Sequence, residues 1–243
     1  MKNIIETKNL TKYYSRGKVL GIKNVNLKIE EGEIFGFLGP NGAGKSTTIR
    51  LLLDLIRPTS GSAKVFGLDV NKETTEIKKD IGYLPGDTYL PEDMTGMECI
   101  NYYKDFKKNV SKKYIDELIE KLDLDTKKRI KTYSKGNKQK LAIILAMMHK
   151  PKLLIFDEPT TSLDPLNQQT FYKLIQKMKE KGKLINTSYT KALDLFKSGI
   201  IFQQIIRAKS NSLGRASLKE ENSKHHIEEF RRAMDGLVKE IKS

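Results

Sequence analysis

A glycine-rich segment, GPNGAGKST at residues 39–47, constrains the fold of this chain more than any other feature. It fits the pattern G-x-x-x-x-G-K-[ST], which runs from Gly39 through Gly44 to Lys45 and Ser46. Glycines let backbone N–H groups turn inward around an anion, and the N-terminus of a following helix adds partial positive charge. Lys45 can reach terminal phosphates, and the Ser46 hydroxyl suits Mg²⁺, which prefers oxygen ligands. The segment therefore predicts a phosphate-binding loop, because an ordinary glycine turn gives no reason for this lysine.

Strands and helices alternate along the residues that flank the loop. The segment EIFGFL at 33–38 is almost continuously apolar, as in strands buried on both faces of a parallel sheet. The sequence predicts further strands at 4–10, 19–29, 63–67, 81–85, 152–159 and around 183–188, and helices at 45–56 and about 165–181. This alternation predicts an α/β fold with a mostly parallel sheet.

Residues 92–131 are rich in Lys, Glu and Tyr and show few strand signals. In YIDELIEKL at 114–122, the apolar residues recur at helical offsets and so share one face: Ile115, Leu118, Ile119 and Leu122. We expect an inserted helical subdomain at about 87–135.

Two acidic residues, Asp157 and Glu158, end the apolar segment LLIFDEP. Ligands in open α/β sheets bind at the carboxyl ends of strands, so this pair should lie beside the phosphate loop. Asp157 suits the shell of a Mg²⁺ ion. Glu158 suits a general base that polarises an attacking water, a role worth about 10²–10⁴-fold in rate. The alternative is a solvated pair without a role.

A second anion-binding surface is predicted in YSKGNKQKLAIILAMMHK at 133–150. Ser134 can cap a helix whose apolar stripe belongs to the core, namely Leu141, Ile144, Leu145 and Met148. Ser134, Gly136 and nearby lysines lie at the positive end of that helix. Since one phosphate loop is already present, a second such surface suggests that two chains share a nucleotide. His149, at the helix end, is expected to interact with the helix dipole.

Composition indicates the size of the domain, the cellular compartment and the classes of partner. Its 243 residues suffice for one large domain or a domain with an embedded subdomain. The longest apolar runs are far shorter than the roughly 20 residues of a membrane span, and the polar N-terminus does not resemble a signal peptide. The single cysteine, Cys99, fits a reducing compartment, so we expect a cytoplasmic protein. The net charge of +15 fits a solvated lysine-rich surface, attraction to anionic headgroups, or nucleic acid, which we rank low without a matching motif.

Taken together, GPNGAGKST, YSKGNKQ and LLIFDEPTTSLDP resemble the Walker A, signature, Walker B and D-loop motifs of ATP-binding-cassette (ABC) ATPases, in the same order and spacing. The resemblance runs from about residue 4 to about residue 185. YSKGNKQ, in place of the commoner LSGGQ, resembles the cassettes of exporters with separate membrane subunits.

The resemblance implies a P-loop NTPase fold with a mostly parallel sheet, an antiparallel β subdomain and an inserted helical subdomain. It implies Mg-ATP held in a head-to-tail dimer, either homodimer or heterodimer, and an integral membrane permease subunit on which the helical insert docks. The protein would then be peripheral at the inner face of the cell membrane. The residues implied to bind ATP are Tyr14 (Tyr13 as second choice), Gly39, Pro40, Asn41, Gly42, Ala43, Gly44, Lys45, Ser46, Thr47, Ser134, Gly136 and Asp164, the last facing the opposite chain.

Two positions depart from the family pattern. Most cassettes have a glutamine where Gly86 stands, and Asp87 is either a substitute Mg²⁺ ligand or only a turn residue. The family usually has a histidine near the γ-phosphate where Tyr189 stands. A phenol donates one hydrogen bond but is a poor proton exchanger at neutral pH.

The likeness weakens after residue 185. The domain is expected at 1–208, followed at 209–243 by a connector and an amphipathic helix with apolar residues Ile227, Phe230, Met234, Leu237, Val238 and Ile241. That helix either packs on the domain or binds a partner or a membrane surface. An altered reading frame would also explain the change.

Three functions are compatible with these features. The first is the ATPase subunit of an exporter. The second is a nucleotide-binding module with little or no hydrolysis that regulates or pairs with a competent cassette, which Gly86 and Tyr189 suggest. The third, a cassette that acts on ribosomes or DNA, has only the basic charge in its favour.

Overall fold

The computed structural model describes residues 2–32, 34–38, 42–107, 110–160, 162–180 and 184–189. All of them belong to the first of two units, Met1–Ala208; the second unit, Lys209–Ser243, lies outside the described residues, as do the predicted connector and final helix. The described strands are β1 (Asn3–Tyr14), β2 (Val19–Glu30), β3 (Ile34–Leu38), β4 (Ser60–Val65), β5 (Leu68–Asp69), β6 (Ile81–Leu84), β7 (Leu153–Asp157) and β8 (Leu184–Tyr189). The described α-helices are α1 (Lys45–Leu52), α2 (Thr74–Lys79), α3 (Gly96–Asp105), α4 (Lys112–Leu122), α5 (Lys135–Met147) and α6 (Pro165–Glu180).

The strands form two sheets of four. One is antiparallel, with the order β2-β1-β4-β5, and its strands alternate: Leu27 and Ile29 are buried whereas Lys28 and Glu30 are exposed. The other sheet has the order β3-β8-β7-β6, and its neighbouring strands pair in parallel. The predicted α/β fold with a mostly parallel sheet and an antiparallel β subdomain is confirmed.

Strand β7 is buried on both faces, which explains its continuous apolar sequence. Leu153 and Ile155 join the core between the parallel sheet and the antiparallel sheet. Leu154 and Phe156 join a second core with α5, α6 and the helical insert. Asp157 therefore ends a strand that is fixed by both cores.

The insert contains α3 and α4. Thr95 and Glu98 form a capping box at the start of α3, and the Ser111 hydroxyl accepts a hydrogen bond from the Tyr114 N–H at the start of α4. The apolar face predicted for α4 is confirmed, with three of its residues buried and one partly buried, namely Ile115, Leu118, Leu122 and Ile119. No helix of the described ranges has the length and apolarity to cross a membrane.

Three sequence-based expectations need correction. Helix α1 ends at Leu52, not at residue 56, because Leu53 leaves the helical conformation and Asp54 has φ +50°. Helix α5 has no single apolar stripe: most of its surface from Gln139 onward is buried, since both the insert and the parallel sheet cover it. His149 does not act as a cation at a helix dipole. Its Nε2 bonds the Ile81 carbonyl, and burial lowers its pKa to about 4, so the imidazole is neutral at pH 7.

Candidate functional site

The phosphate loop leads into α1 through two glycines with left-handed backbone. Gly42 has φ +83° and Gly44 has φ +89°. A Cβ atom at Gly44 would lie 2.4 Å from Ile22 Cγ2 and 2.9 Å from the Gly21 carbonyl oxygen, so position 44 excludes any side chain. Residues 39–41, which include the predicted Gly39, Pro40 and Asn41, lie outside the described residues.

The N-cap residue of α1 is Gly44, which has no side chain to cap the helix. The first turn of α1 holds no acidic residue. The first N–H groups of a helix have no acceptor within the helix, and the helix dipole makes this end attractive to anions. Ala43, Lys45, Ser46 and Thr47 are all partly exposed at this end of α1.

Tyr14 lies beside the same helix start. Its hydroxyl is 3.2 Å from Thr47 Oγ1, which joins the end of β1 to the first turn of α1. A Cβ atom at Gly21 would lie 2.7 Å from Tyr14 Cε2, so Gly21 provides the space for this ring. Of the two tyrosines considered from the sequence, Tyr14 is the one with a contact to the loop region, whereas the Tyr13 N–H donates to Thr59 Oγ1. Sequence reasoning missed Gly21, since its role depends on a contact across strands.

The acidic pair lies at the carboxyl end of β7. Asp157 is 8% exposed, and Glu158 follows it with φ +51° and partial exposure. Tyr83 of β6 has a raised pKa, first because it is buried and second because Asp157 is near, while Arg50 of α1 acts in the opposite sense. Arg50 of α1 and Asp157 of β7 therefore both influence the pKa of Tyr83.

Gly86 lies directly against Asp157. A Cβ atom at Gly86 would be 3.8 Å from Asp157 Oδ2, an ordinary contact distance, and the backbone there is not left-handed. A side chain at position 86 would therefore reach the carboxylate without strain. Asp87 is exposed, and no hydrogen bond or ion pair is seen for its carboxylate within the described part of the chain.

Ser134 caps α5, as the sequence predicts. Its Oγ accepts a hydrogen bond from the Asn137 N–H at 3.2 Å, and its side chain is exposed. Gly136 packs against the segment that follows the acidic pair, since a Cβ atom there would lie 3.1 Å from the Ser162 carbonyl oxygen. The two motifs 133–139 and 157–164 are therefore neighbours within one chain.

Asp164 caps α6. Its Oδ1 accepts hydrogen bonds from the Leu166 and Asn167 N–H groups at 3.1 and 3.0 Å. Hydrogen bonds from the Asn167 side chain and backbone are the main reasons why its pKa lies below the usual value. The Asp164 carboxylate is exposed and is ionised at neutral pH.

Two glutamine amides hold the backbone after Glu158. The Gln139 Nε2 donates to the Pro159 carbonyl at 2.8 Å, and this side chain is buried. The Gln168 Nε2 donates to the Thr160 and Leu163 carbonyls at 3.2 and 3.0 Å. Sequence reasoning missed both residues, because a glutamine within a helix shows no pattern that reveals its tertiary partner.

Strand β8 ends at Tyr189. The Tyr189 backbone pairs in parallel with Leu38 of β3, and the preceding residue, Ser188, pairs with Asp157 of β7. The Tyr189 backbone thus lies at the same edge of the sheet as the acidic pair, whereas its side chain lies outside the described part.

This site has the donors that Mg-ATP needs. An uncapped helix start with a lysine fits a polyphosphate. The Ser46 hydroxyl and the buried Asp157 carboxylate are the hard oxygen ligands that Mg²⁺ prefers. The residues present therefore fit a magnesium–nucleotide complex.

Comparison with known families agrees with this geometry. The family model described as ABC transporter matches residues 22–161, which is more than half of the chain. The chain belongs to the ABC transporter family.

Relatives of known sequence include ABC transporter proteins of bacteria. The bacitracin transport ATP-binding protein BcrA of Bacillus licheniformis is 39% identical over 186 residues, which cover 76% of this chain and 60% of that protein. The ABC transporter ATP-binding protein NatA of Bacillus subtilis is 37% identical over 173 residues, which cover 69% of this chain and 70% of that protein. The chain spans only 60–62% of the length of BcrA and of the YhcH protein of B. subtilis.

Solved ABC cassettes share the fold. A dimeric structure of the bacterial cassette MJ0796 has a TM-score of 0.73 at 28% identity and covers 79% of this chain and 90% of its own. A dimeric post-hydrolysis state of MJ0796 with ADP and Pi has a TM-score of 0.72 at 28% identity, with 78% of this chain and 89% of its own covered.

Proposed function

We propose that this chain is the ATP-binding subunit of an exporter, which binds and hydrolyses Mg-ATP in a head-to-tail dimer. One observation carries the proposal: the uncapped start of α1 and the buried carboxylate of Asp157 lie at the same edge of the parallel sheet. That edge combines an anion site with a magnesium ligand, which is the combination that a nucleoside triphosphate requires.

Each residue has a distinct task in this proposal. The loop N–H groups and Lys45 bind the phosphates, and Tyr14 stacks on the adenine. Ser46 and Asp157 hold Mg²⁺, which neutralises phosphate charge when bound. Glu158 orients the attacking water and accepts its proton.

The second chain completes the site. Ser134, Gly136 and Asp164 would face the nucleotide of the opposite cassette, and the dimeric structures of MJ0796 support this arrangement. The exposure of Ser134 and Asp164 is compatible with it. We further infer a separate membrane subunit and a position at the inner face of the cell membrane, supported by the transport relative BcrA. A neighbouring reading frame with several membrane spans would identify that subunit.

A second candidate function is a nucleotide-binding module with weak hydrolysis. The specific observation in its favour is Gly86. This glycine lies against Asp157 at the position where most cassettes have a glutamine, so the glutamine side chain is absent there. In that case the chain would regulate or pair with a competent cassette.

The test is the turnover of Glu158→Gln. We expect the purified variant to bind Mg-ATP as the parent does, while hydrolysis falls about 100-fold or more because the general base is lost. Glu120→Gln, the same change at an exposed position of α4, is the control and should hydrolyse at the parent rate. Parent-like turnover by Glu158→Gln would disprove the role of Glu158, and an inactive parent that still binds ATP would favour the second candidate.

A further inference from the structure

We propose that Gln139 of α5 is a positioning residue that holds Glu158 in its catalytic conformation and couples this conformation to the start of α5 at Ser134. The inference rests on the proposed function, because it assumes that Glu158 acts in hydrolysis. Gln139 is 7% exposed and lies in the second turn of α5, with its Nε2 donating to the Pro159 carbonyl.

The backbone at Glu158 needs such support. Its φ of +51° is in the left-handed region, which costs a non-glycine residue on the order of 1–2 kcal/mol. A proline follows directly, and prolines favour extended backbone in the residue before them. Backbone of this kind persists only where the surrounding structure fixes it, and it is commonly found at functional sites.

The Gln139 bond acts at the right place to fix this conformation. Its acceptor belongs to the residue immediately after Glu158, so it restrains the peptide plane between Pro159 and Thr160, the next plane after the one that joins Glu158 to Pro159. Pro159 has no N–H and is itself buried, so its carbonyl is the only backbone group of that residue able to form a hydrogen bond. On the other side, Asp157 is fixed in β7 between both cores.

The same bond joins two functional segments of one chain. Helix α5 begins at Lys135, directly after Ser134, and Gly136 packs against Ser162. In the proposed dimer this helix start meets the nucleotide of the opposite chain. A shift of α5 would move the donor of the Pro159 carbonyl, so Gln139 would transmit nucleotide binding at one site to the base of the other site. Such coupling requires that the two states of α5 bind nucleotide differently.

The test uses substitutions that keep the volume of Gln139. Gln139→Met removes the donor, and Gln139→Glu places an acceptor against the carbonyl oxygen. For purified full-length protein we expect kcat for Mg-ATP to fall about tenfold with methionine and further with glutamate, because a buried hydrogen bond is lost or replaced by repulsion. The KM for ATP should stay within about twofold, because the phosphate loop is untouched.

Lys140→Met is the matched control. Lys140 is the adjacent residue of α5. It is buried and its Nζ donates to the Asp123 carbonyl in the insert, so it is not one of the exposed lysines near Ser134 that could bind an anion. A general weakening of α5 would affect both variants alike, whereas positioning of Glu158 predicts a loss of kcat with Gln139→Met alone. Equal kcat values for Gln139→Met and the parent, or equal losses in the two methionine variants, would overturn the proposal. Glu158→Gln separates the outcomes: if it is inactive and Gln139→Met is not, only the positioning role fails.

Discussion

Helices α1 and α5 both begin at predicted anion-binding sites, and they begin in different ways. Helix α1 starts at a left-handed glycine without a side-chain cap. Helix α5 starts at Ser134, whose hydroxyl accepts the Asn137 N–H, as Ser111 does for Tyr114 at α4. An α-helix has several N–H groups at its start without acceptors inside the helix, and a bound anion can accept hydrogen bonds from them.

This difference separates two kinds of phosphate contact. The start of α1 combines the N-terminus of a helix with a lysine, and its N-cap glycine has no side chain to occupy the first N–H groups. At the start of α5, the Ser134 side chain already accepts the Asn137 N–H, so this N–H is not available to a ligand, whereas the Ser134 hydroxyl hydrogen still is. We therefore expect α1 to determine nucleotide affinity and α5 to act mainly on turnover.

The largest effect is expected from Gly44→Ala. The new Cβ atom would meet Ile22 and the Gly21 carbonyl at distances that no Cβ atom tolerates, and the left-handed backbone would be strained as well. Overpacking of about 1–3 kcal/mol and strain of about 1–2 kcal/mol together predict a loss of ATP affinity of roughly 100-fold. Equilibrium binding of a fluorescent ATP analogue would measure it.

Gly17→Ala provides the control for backbone strain. Gly17 has φ +92°, and no atom of the described residues beyond its chain neighbours lies within 4 Å of the position that a Cβ atom would take, so alanine there causes strain without a clash. This variant should unfold slightly more easily but bind ATP as the parent does. Equal losses of affinity in both variants would show that general destabilisation, not the shape of the loop, determines binding.

The parts of this site that could be predicted are those that a local pattern encodes. The loop GPNGAGKST, the strand before Asp157 and the cap at Ser134 follow from spacing and residue type. The burial of most of the α5 surface could not be predicted. The periodicity of one helix does not reveal that both the insert and the parallel sheet pack against it. The bonds of Gln139 and the conformation of Glu158 depend on residues 20 positions away or on tertiary restraint, so no local pattern signals them.

The next largest effect is expected from removing the serine that caps α5, compared with removing the serine that caps α4. Ser134→Ala and Ser111→Ala each remove one exposed hydroxyl that accepts an N–H at a helix start. Each should lower the free energy of unfolding by about 1 kcal/mol, measurable by urea denaturation. Only Ser134→Ala should also lower the rate of Mg-ATP hydrolysis, by about tenfold, because only Ser134 faces a nucleotide in the proposed dimer. An equal decrease of hydrolysis in both variants would mean that the cap of α5 is merely structural.

Gly86→Gln should have the smallest effect on stability. It is also the most direct test of the second candidate function, weak hydrolysis. The site accepts a Cβ atom at ordinary contact distance from Asp157, so stability should change by about 0.5 kcal/mol or less. A glutamine amide at this position can donate to the Asp157 carboxylate and offer an oxygen to Mg²⁺, so we expect hydrolysis to rise about threefold. Gly86→Met fills the same space without these polar atoms and should leave the rate unchanged. A gain with glutamine alone would show that Gly86 limits turnover after ATP is bound. If neither variant differs from the parent, the absent side chain does not limit turnover, and the weak-hydrolysis candidate loses the observation that favours it.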